Sequence, residues 1–220
     1  MATWNELFLD KRYIADLPQP EVQKFIKLLE NRFPDRPLSV WDLCCGAGRH
    51  TVLISQMGHN AYGSDISENG INYTQKLLEK NGLNAVLKIA DMTDNPFAGT
   101  RFHGAISWDA IHHNTIGNIE KAVERVYESL YDSGMFMVSL VLLSDKAERG
   151  KEIEKNTFII DRGPETGVPH HYFDEQDIRK LFKKWTILSL TEIIVTYKET
   201  RIDFNDNPFP YTKWNVIVQK

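Results

Sequence analysis

The sequence alternates between two hydrophobic periodicities, and this alternation limits the folds open to it more than any other feature. Short apolar runs such as residues 37–45 and 59–65 are each followed by a segment in which apolar residues recur at spacings of three and four. That spacing is typical of amphipathic helices, and short apolar runs bounded by turn residues are typical of buried strands. Strands that alternate with helices of roughly 10 to 15 residues predict a parallel sheet covered by helices on both faces.

The last third of the sequence departs from this alternation. Residues 144–156 are charged and are expected to be irregular, and residues 161–173 are rich in turn-forming residues. Two long apolar segments, 185–199 and 211–219, then follow without a helix between them, which favours an antiparallel pair at a sheet edge. We expect a single domain over the 220 residues, in which residues 143–175 are a possible substrate-side insertion.

Composition excludes several classes of function. The 26 basic and 30 acidic residues are interspersed and give a net charge of −4, which is unlike a surface for nucleic acid or anionic membranes. No run approaches the roughly 18 apolar residues of a membrane span, and the N-terminus lacks the apolar core of a signal peptide, so we expect a cytoplasmic monomer or homodimer. The two cysteines, Cys44 and Cys45, are adjacent and should be reduced, small packing residues.

The stretch from Val40 to His50 runs an apolar strand into Gly46 and Gly48. In an open parallel sheet, ligands bind at the carboxyl ends of strands where the strand order reverses, and the first strand-to-helix turn approaches them most closely. Glycines let the backbone come near a bulky ligand, and the helix that follows presents free N–H groups. The stretch therefore predicts a site for a nucleotide-like ligand.

Two later strands end in carboxylates that suit such a ligand. Asp65 ends the second strand, where a carboxylate can accept hydrogen bonds from both hydroxyls of a ribose. Asp91 follows the third strand, and with Met92 it could hold the edge and face of an adenine. A dinucleotide fingerprint would have a third glycine at position 51, where this chain has Thr51. A nicotinamide-dependent oxidoreductase is thereby disfavoured, although it and a non-catalytic binding protein stay open as alternatives.

The motifs that carry a family resemblance are, in order, VWDLCCGAGRH, GSDIS, IADMTDNPF, FHGAISWDAIHH and LYDSGMFMVSL. Over residues 38–143 they resemble the class I S-adenosylmethionine-dependent methyltransferases. The resemblance implies an α/β, Rossmann-like fold: a seven-stranded, mostly parallel sheet with helices on both faces and an antiparallel C-terminal strand pair. It also implies the cofactor S-adenosyl-L-methionine, which leaves as S-adenosyl-L-homocysteine.

The same resemblance implies a set of site residues. Those expected along the cofactor are Asp42, Gly46 and Gly48 at its methionine part, Asp65 on the ribose diol, Asp91 and Met92 at the adenine, and Trp108 with Asp109 at the methyl-transfer site. Those counted with them as cofactor-binding are Cys44, Ile66 and Tyr13. Cys44 stands where the family usually has the first glycine of its loop, which puts the backbone torsion there in question.

Methyl transfer from a sulfonium needs alignment, exclusion of water and, for a protonated acceptor, removal of a proton. Candidate bases lie in two histidine pairs, His112-His113 and His170-His171. We expect His113 and His171 to act at the site beside Trp108, because neutral imidazole titrates near pH 7 and neighbours in extended backbone face opposite sides. No metal site is expected, since the pairs show no nearby carboxylate pattern.

The remaining inferences concern the cover of the site and the acceptor. Residues 1–19 are a possible N-terminal lid, in which Trp4, Phe8 and Tyr13 either pack in the core or close the cofactor pocket. Enzymes of this family that methylate nucleobase or glutamine amines carry an Asn/Asp-Pro-Pro-Tyr/Phe type sequence after the fourth strand, where this chain reads SWDAIHH. The acceptor is therefore expected to be a small molecule, methylated on oxygen, sulfur or nitrogen.

Overall fold

The computed structural model describes residues 3–10, 13–14, 17–145, 150–161, 163–195 and 211–220. Its helices are α1 (Trp4–Leu7), α2 (Pro20–Arg32), α3 (Arg49–Gln56), α4 (Glu68–Lys80), α5 (Ile116–Ser129) and α6 (Glu175–Leu181). Its strands are β1 (Ser39–Leu43), β2 (Asn60–Asp65), β3 (Ala85–Ile89), β4 (Phe102–Ser107), β5 (Leu130–Val141), β6 (Lys151–Glu154), β7 (Thr157–Ile159), β8 (Pro169–His171), β9 (Thr186–Val195) and β10 (Tyr211–Gln219). Across these residues, no helix is long and apolar enough to cross a membrane.

Seven strands form the main sheet in the order β3-β2-β1-β4-β5-β10-β9. The first five pair in parallel, and β10 is antiparallel to both β5 and β9. The predicted mostly parallel sheet with an antiparallel C-terminal pair is confirmed. The strand order reverses between β1 and β4, so the carboxyl ends of these two strands form the crevice in which such sheets bind ligands.

Apolar clusters lie on both faces of the sheet, as expected for parallel strands covered by helices. On one face, β-strand residues pack with Val123 of α5 and Phe182 after α6. On the other face, Phe25 of α2 and Leu53 of α3 pack against the sheet. Every residue of β4 is buried, which fits its central position.

A second, three-stranded antiparallel sheet, β6-β7-β8, was only partly predicted. Residues 144–156 were expected to be irregular, but Lys151–Glu154 forms β6, whose exposed charged residues hide any strand periodicity. Residues 161–173 were expected to be turns, but Pro169–His171 forms β8, which is only three residues long. The His171 N–H donates to the His112 carbonyl at 2.8 Å, so this small sheet is attached over the loop that follows β4.

Candidate active site

The turn after β1 is built from left-handed backbone. Cys44, Gly46 and Gly48 have φ values of 58°, 54° and 82°. Cys44 therefore adopts the torsion of the glycine it replaces, at a cost of about 1–2 kcal/mol for a residue that carries a Cβ. The half-buried Cys44 side chain packs against the main apolar cluster, and that contact offsets part of the cost.

Asp65 holds this turn to the end of β2. Its Oδ2 accepts a hydrogen bond from the Gly46 N–H and its Oδ1 one from the Ser67 N–H, each at 2.8 Å. Burial raises the pKa of Asp65, and the hydrogen bonds from backbone N–H groups oppose that rise. Each carboxylate oxygen can accept a further bond, so the side chain is still able to bind a ribose. The next residue, Ile66, is half exposed and continues the same rim.

Asp42 lies beneath the turn and is bonded to the residue that breaks the dinucleotide fingerprint. Thr51 lies in α3 and is entirely buried, and its hydroxyl donates a hydrogen bond to Asp42 Oδ2 at 2.7 Å. Burial raises the pKa of Asp42 from 3.8 to about 7, although the Thr51 hydroxyl and the Arg49 guanidinium oppose that rise. Thr51 thus occupies the third-glycine position with a structural role that a glycine could not fulfil.

Gly48 is required by packing within the protein. A Cβ at this position would lie 2.4 Å from Thr74 Cγ2 and 2.5 Å from Thr74 Oγ1. The Thr74 hydroxyl also lies 3.0 Å from the carbonyl oxygens of Gly46 and Gly70, which joins α4 to the turn. A side chain at Gly48 would therefore clash with Thr74 within the protein itself.

Asp91 lies beyond the end of β3 and closes a turn. Its Oδ1 accepts hydrogen bonds from the Thr93 N–H at 2.9 Å and from the Thr93 hydroxyl at 2.7 Å. Met92 is buried, with its Sδ 4.0 Å from Asn114 Nδ2 after β4. Asp91 therefore has a structural bond, and the predicted contact of Asp91 and Met92 with adenine stays a prediction.

The N-terminal helix α1 is anchored on α4. The Asn69 N–H donates to Asn5 Oδ1 at 2.8 Å, and Asn69 Nδ2 donates to the Asn5 carbonyl at 2.6 Å. A capping box between Thr3 and Glu6 fixes the start of α1. Tyr13 lies further along in a turn, where its N–H donates to the Asp10 carbonyl at 3.0 Å.

One face of this N-terminal segment reaches both ends of the crevice. Phe8 lies over the glycine turn, because a Cβ on Gly46 would be 2.7 Å from Phe8 Cζ. Trp4 lies four residues earlier, and its ring centroid is 4.9 Å from that of His113. The two aromatic side chains therefore connect the turn after β1 with the loop after β4.

A buried charge cluster lies at the carboxyl end of β4, next to the predicted Trp108. Asp109 has a φ of 58°, and its carboxylate contacts Lys213 Nζ of β10 and lies 3.8 Å from Arg49 Nη2. Burial and the neighbouring Arg49 guanidinium lower the pKa of Lys213 well below its usual range. Sequence reasoning missed both basic residues. The available signals were the position of Arg49 directly after Gly48 and of Lys213 within an apolar strand.

The structure brings three of the four paired histidines together. His112 and His113 lie in a turn, with ring centroids 4.0 Å apart, so the expectation that they face opposite ways in extended backbone is wrong. The ring of His170 is 4.5 Å from that of His113. His171, which was selected as a candidate base, faces the other side of β8 towards Phe173, at 4.5 Å. Burial lowers the pKa of His171, whose Nδ1 lies 2.6 Å from Thr157 Oγ1.

Glu165 supplies the carboxylate that was not recognised in the sequence. Its Oε2 lies 2.9 Å from His170 Nε2 and 4.0 Å from His113 Nε2. The ligand atoms of the three residues all lie within 4.8 Å of one another. Glu165 occupies a turn without periodicity, and its spacing of five residues from His170 was the only available signal.

Comparisons with known proteins agree with this geometry. Residues 40–134 match a family described as "Methyltransferase domain". No curated protein matches the chain. Many solved structures share its fold, and three of them illustrate the likeness. A S-adenosylmethionine-dependent methyltransferase from Methanosarcina mazei is 16% identical, with a TM-score of 0.73 over 93% of this chain and 98% of that one.

TehB from Haemophilus influenzae is 18% identical, with a TM-score of 0.70 over 99% of this chain and 67% of that one. Magnesium protoporphyrin IX methyltransferase from Synechocystis PCC 6803, solved with bound S-adenosylmethionine, is 17% identical, with a TM-score of 0.65 over 99% and 93% of the two chains. The chain thus carries a methyltransferase domain over residues 40–134 and has the fold of the class I S-adenosylmethionine-dependent methyltransferases, enzymes whose cofactor is S-adenosyl-L-methionine. The oxidoreductase and non-catalytic alternatives are therefore not favoured.

Proposed function

We propose that the protein methylates a small molecule on oxygen, sulfur or nitrogen, in a site at the carboxyl ends of β1 and β4. The observation that carries the proposal is the convergence of two chain segments on the loop after β4. Trp4 of α1 contacts His113 from one side, and β8 is hydrogen-bonded to His112 on the other. A site enclosed in this way suits a small acceptor, because a polymer would need an open groove.

The cofactor lies, in this proposal, along the turn after β1. Its methionine part is held near Asp42, Cys44, Gly46 and Gly48, its ribose by Asp65 and Ile66, and its adenine by Asp91 and Met92. Phe8 over Gly46 supports an N-terminal cover within residues 1–19, to which Tyr13 belongs. Gly46, which carries no side chain of its own, lies beside the Asp65 carboxylate, and this is the arrangement that a nucleoside with a charged tail requires.

The acceptor binds between Trp108 and the histidines. Trp108 is buried, and within the described residues its indole N–H has no hydrogen-bond acceptor, so it can donate to a bound acceptor or cofactor. His113 takes the proton from a protonated acceptor while the methyl carbon moves from sulfur to the nucleophile. His171 was the second candidate base, but its position against Phe173 makes His170 the histidine that accompanies His113.

The proposal is tested by incubating the full chain with methyl-labelled S-adenosylmethionine and separate pools of thiols, phenols, carboxylic acids, amines and metalloid oxyanions. Mass spectrometry measures S-adenosylhomocysteine and the labelled product. Formation of S-adenosylhomocysteine that depends on one of the small-molecule pools supports the proposal. Transfer only to added protein or nucleic acid would contradict it.

Once an acceptor is known, His113→Ala tests proton removal. General-base help contributes about 10²–10⁴-fold, so turnover should fall by roughly that factor while the cofactor dissociation constant stays within about threefold. The acidic limb of the pH–rate profile should also disappear. Wild-type turnover in this variant would exclude His113 and leave alignment of an ionised or neutral nucleophile as the means of transfer.

A further inference from the structure

We propose that His113, His170 and Glu165 bind one divalent transition-metal ion at the acceptor end of the crevice. The three side chains come from different parts of the chain, the loop after β4 and the segment that includes β8, and they direct two imidazole nitrogens and a carboxylate at one point. Binding of the ion rests on this geometry alone. Its role in methyl transfer rests on the proposed function.

Hydrogen bonding fixes which nitrogen of His170 faces Glu165. Nδ1 lies 3.2 Å from the Val168 carbonyl oxygen, which can only accept, so Nδ1 carries a proton in the tautomer that makes this bond. In the neutral ring, Nε2 then presents a lone pair to Glu165 Oε2, which is 2.9 Å away and also presents lone pairs. The two atoms stay this close when a proton or a cation lies between them: the proton of the other tautomer, a second proton on the ring, or a metal ion.

His113 favours the cation. Its Nε2 lies 4.0 Å from the same Glu165 oxygen, so a second imidazole nitrogen converges on a carboxylate that one proton on His170 would already satisfy. Both imidazoles are more than nine-tenths buried, and Glu165 is partly buried. A bond from the remote ring nitrogen to a backbone carbonyl, as at His170, is also the usual support for a histidine that ligates a metal.

The distances suit a small ion after a modest adjustment. In a tetrahedral site with bonds of about 2.0–2.1 Å, ligand atoms lie roughly 3.3 Å apart. The separation between His170 Nε2 and Glu165 Oε2 is 2.9 Å, and that between His113 Nε2 and Glu165 Oε2 is 4.0 Å. A shift of His113 by roughly 1 Å would complete the arrangement. Two imidazoles with one carboxylate favour zinc, iron, cobalt or nickel over magnesium and calcium, which prefer oxygen ligands.

The position of the triad gives the ion a role in the proposed reaction. Trp4 contacts His113 and Phe8 covers Gly46, and four residues of a helix rise only about 6 Å, so the triad lies close to the cofactor turn. An acceptor oxygen or sulfur bound to the ion loses its proton to solvent more readily. Its lone pair then forms a bond to the methyl carbon as the carbon–sulfonium bond breaks and its electrons pass to sulfur, which leaves neutral S-adenosylhomocysteine. With the ion bound, the His113 lone pair serves as a ligand, so the role of His113 as base under the proposed function applies to the chain without the ion.

Cobalt(II) is the probe that tests the site. The full chain is treated with a chelator, freed of it and titrated with Co²⁺, and visible absorption is recorded along with competition by Zn²⁺. We expect one equivalent to bind with the strong d–d bands of a four- or five-coordinate ion. Glu165→Gln and His170→Ala should each weaken binding by at least about tenfold, since even changes in groups that support a ligand cost about 10–100-fold. Glu30→Gln is the matched control, because it removes the carboxylate of the His59–Glu30 pair, 3.0 Å apart, where the described residues place no third possible metal ligand within reach.

Saturable binding that is lost in Glu165→Gln and kept in Glu30→Gln supports the proposal. Absence of saturable binding in the wild-type chain, or equal binding by the wild type and Glu165→Gln, would overturn it in favour of an imidazolium–carboxylate pair. Cofactor affinity measured on the same samples shows that each variant is folded. A chain that binds the ion yet methylates no small molecule refutes only the proposed function, whereas methyl transfer that survives complete metal removal refutes only the role of the ion.

Discussion

Replacement of Asp42 by Asn should change how stability depends on pH. The substitution keeps an oxygen that accepts from Thr51 and removes the ability to ionise. Because burial raises the pKa of Asp42 from 3.8 to about 7, the unfolded chain loses this proton at a lower pH than the folded chain does. The contribution of Asp42 to stability is therefore full below about pH 4, falls between about pH 4 and 7, and is constant above that range.

The expected size follows from the interval between the two pKa values. Each pH unit across that interval is worth about 1.4 kcal/mol, so an interval of about three units costs the wild type about 4 kcal/mol. This cost is a large part of the roughly 5–15 kcal/mol by which folded domains are typically stable against unfolding. Lowered pKa values at His50 and His171 act in the opposite direction, but they are shared by both proteins and cancel in the difference.

Urea unfolding followed by circular dichroism, at intervals from pH 4 to pH 8 and without cofactor, measures this difference. The free energy of unfolding of the wild type should fall by about 4 kcal/mol relative to Asp42→Asn as the pH rises. Parallel profiles for the two proteins would refute the reasoning. They would show that the Thr51 hydroxyl and the Arg49 guanidinium hold Asp42 ionised in spite of its burial.

Three further substitutions test the cofactor end. Gly48→Ala should destabilise the fold by about 2–5 kcal/mol, because alanine strains the left-handed backbone and its Cβ clashes with Thr74. A Gly48→Ala, Thr74→Ala double variant should recover part of this loss. Unchanged stability in urea unfolding would contradict the expectation. Phe8→Ala should weaken S-adenosylmethionine binding in calorimetry by roughly tenfold. The control Leu9→Ala, which changes a residue that is 72% exposed, should leave binding unchanged. Tighter binding by Phe8→Ala would show that Phe8 occupies the cofactor's place. Asp65→Ala should lower stability by about 2–5 kcal/mol, because two buried N–H groups lose their acceptor. It should also lower cofactor affinity by at least about tenfold. An unchanged dissociation constant would exclude a ribose contact.

The centre of the main sheet could be predicted because its strands are long, as in β5, or largely buried, as in β1 and β4. Runs such as that of β4 carry a strong apolar signal, and the closeness of β9 and β10 along the chain indicated an antiparallel pair. The small sheet could not be predicted in the same way. β6 exposes charged residues and β8 has three residues, so pairing with neighbours, and not local periodicity, makes them strands. The segment that joins β9 to β10, residues 196–210, lies outside the described residues.

In the candidate site too, the residues at strand ends could be predicted, and the residues brought together by tertiary contacts could not. Asp65 and the glycine turn follow directly from strand ends, and the structure places them together through the Gly46 N–H. The choice between His170 and His171 depends on which face of β8 meets the loop after β4, which is a tertiary relation that spacing does not encode. Glu165 joins the histidines for the same reason.

The two ends of the crevice, the turn after β1 and the histidines after β4, differ in the groups available to bind a metal. At the cofactor end, burial raises the pKa of both Cys44 and Cys45 well above the usual range, and the neighbouring Asp65 and Asp42 carboxylates add to that rise. The thiols therefore stay protonated, and thiolate is the form that binds metals or attacks electrophiles. A soft metal prefers thiolate ligands to imidazoles. Because the two thiols stay protonated, they do not compete with the imidazoles at the other end of the crevice for a metal ion. With the cofactor in the proposed position, the carboxylates that suit its cationic sulfonium would also keep the neighbouring cysteines protonated and unreactive towards its methyl group.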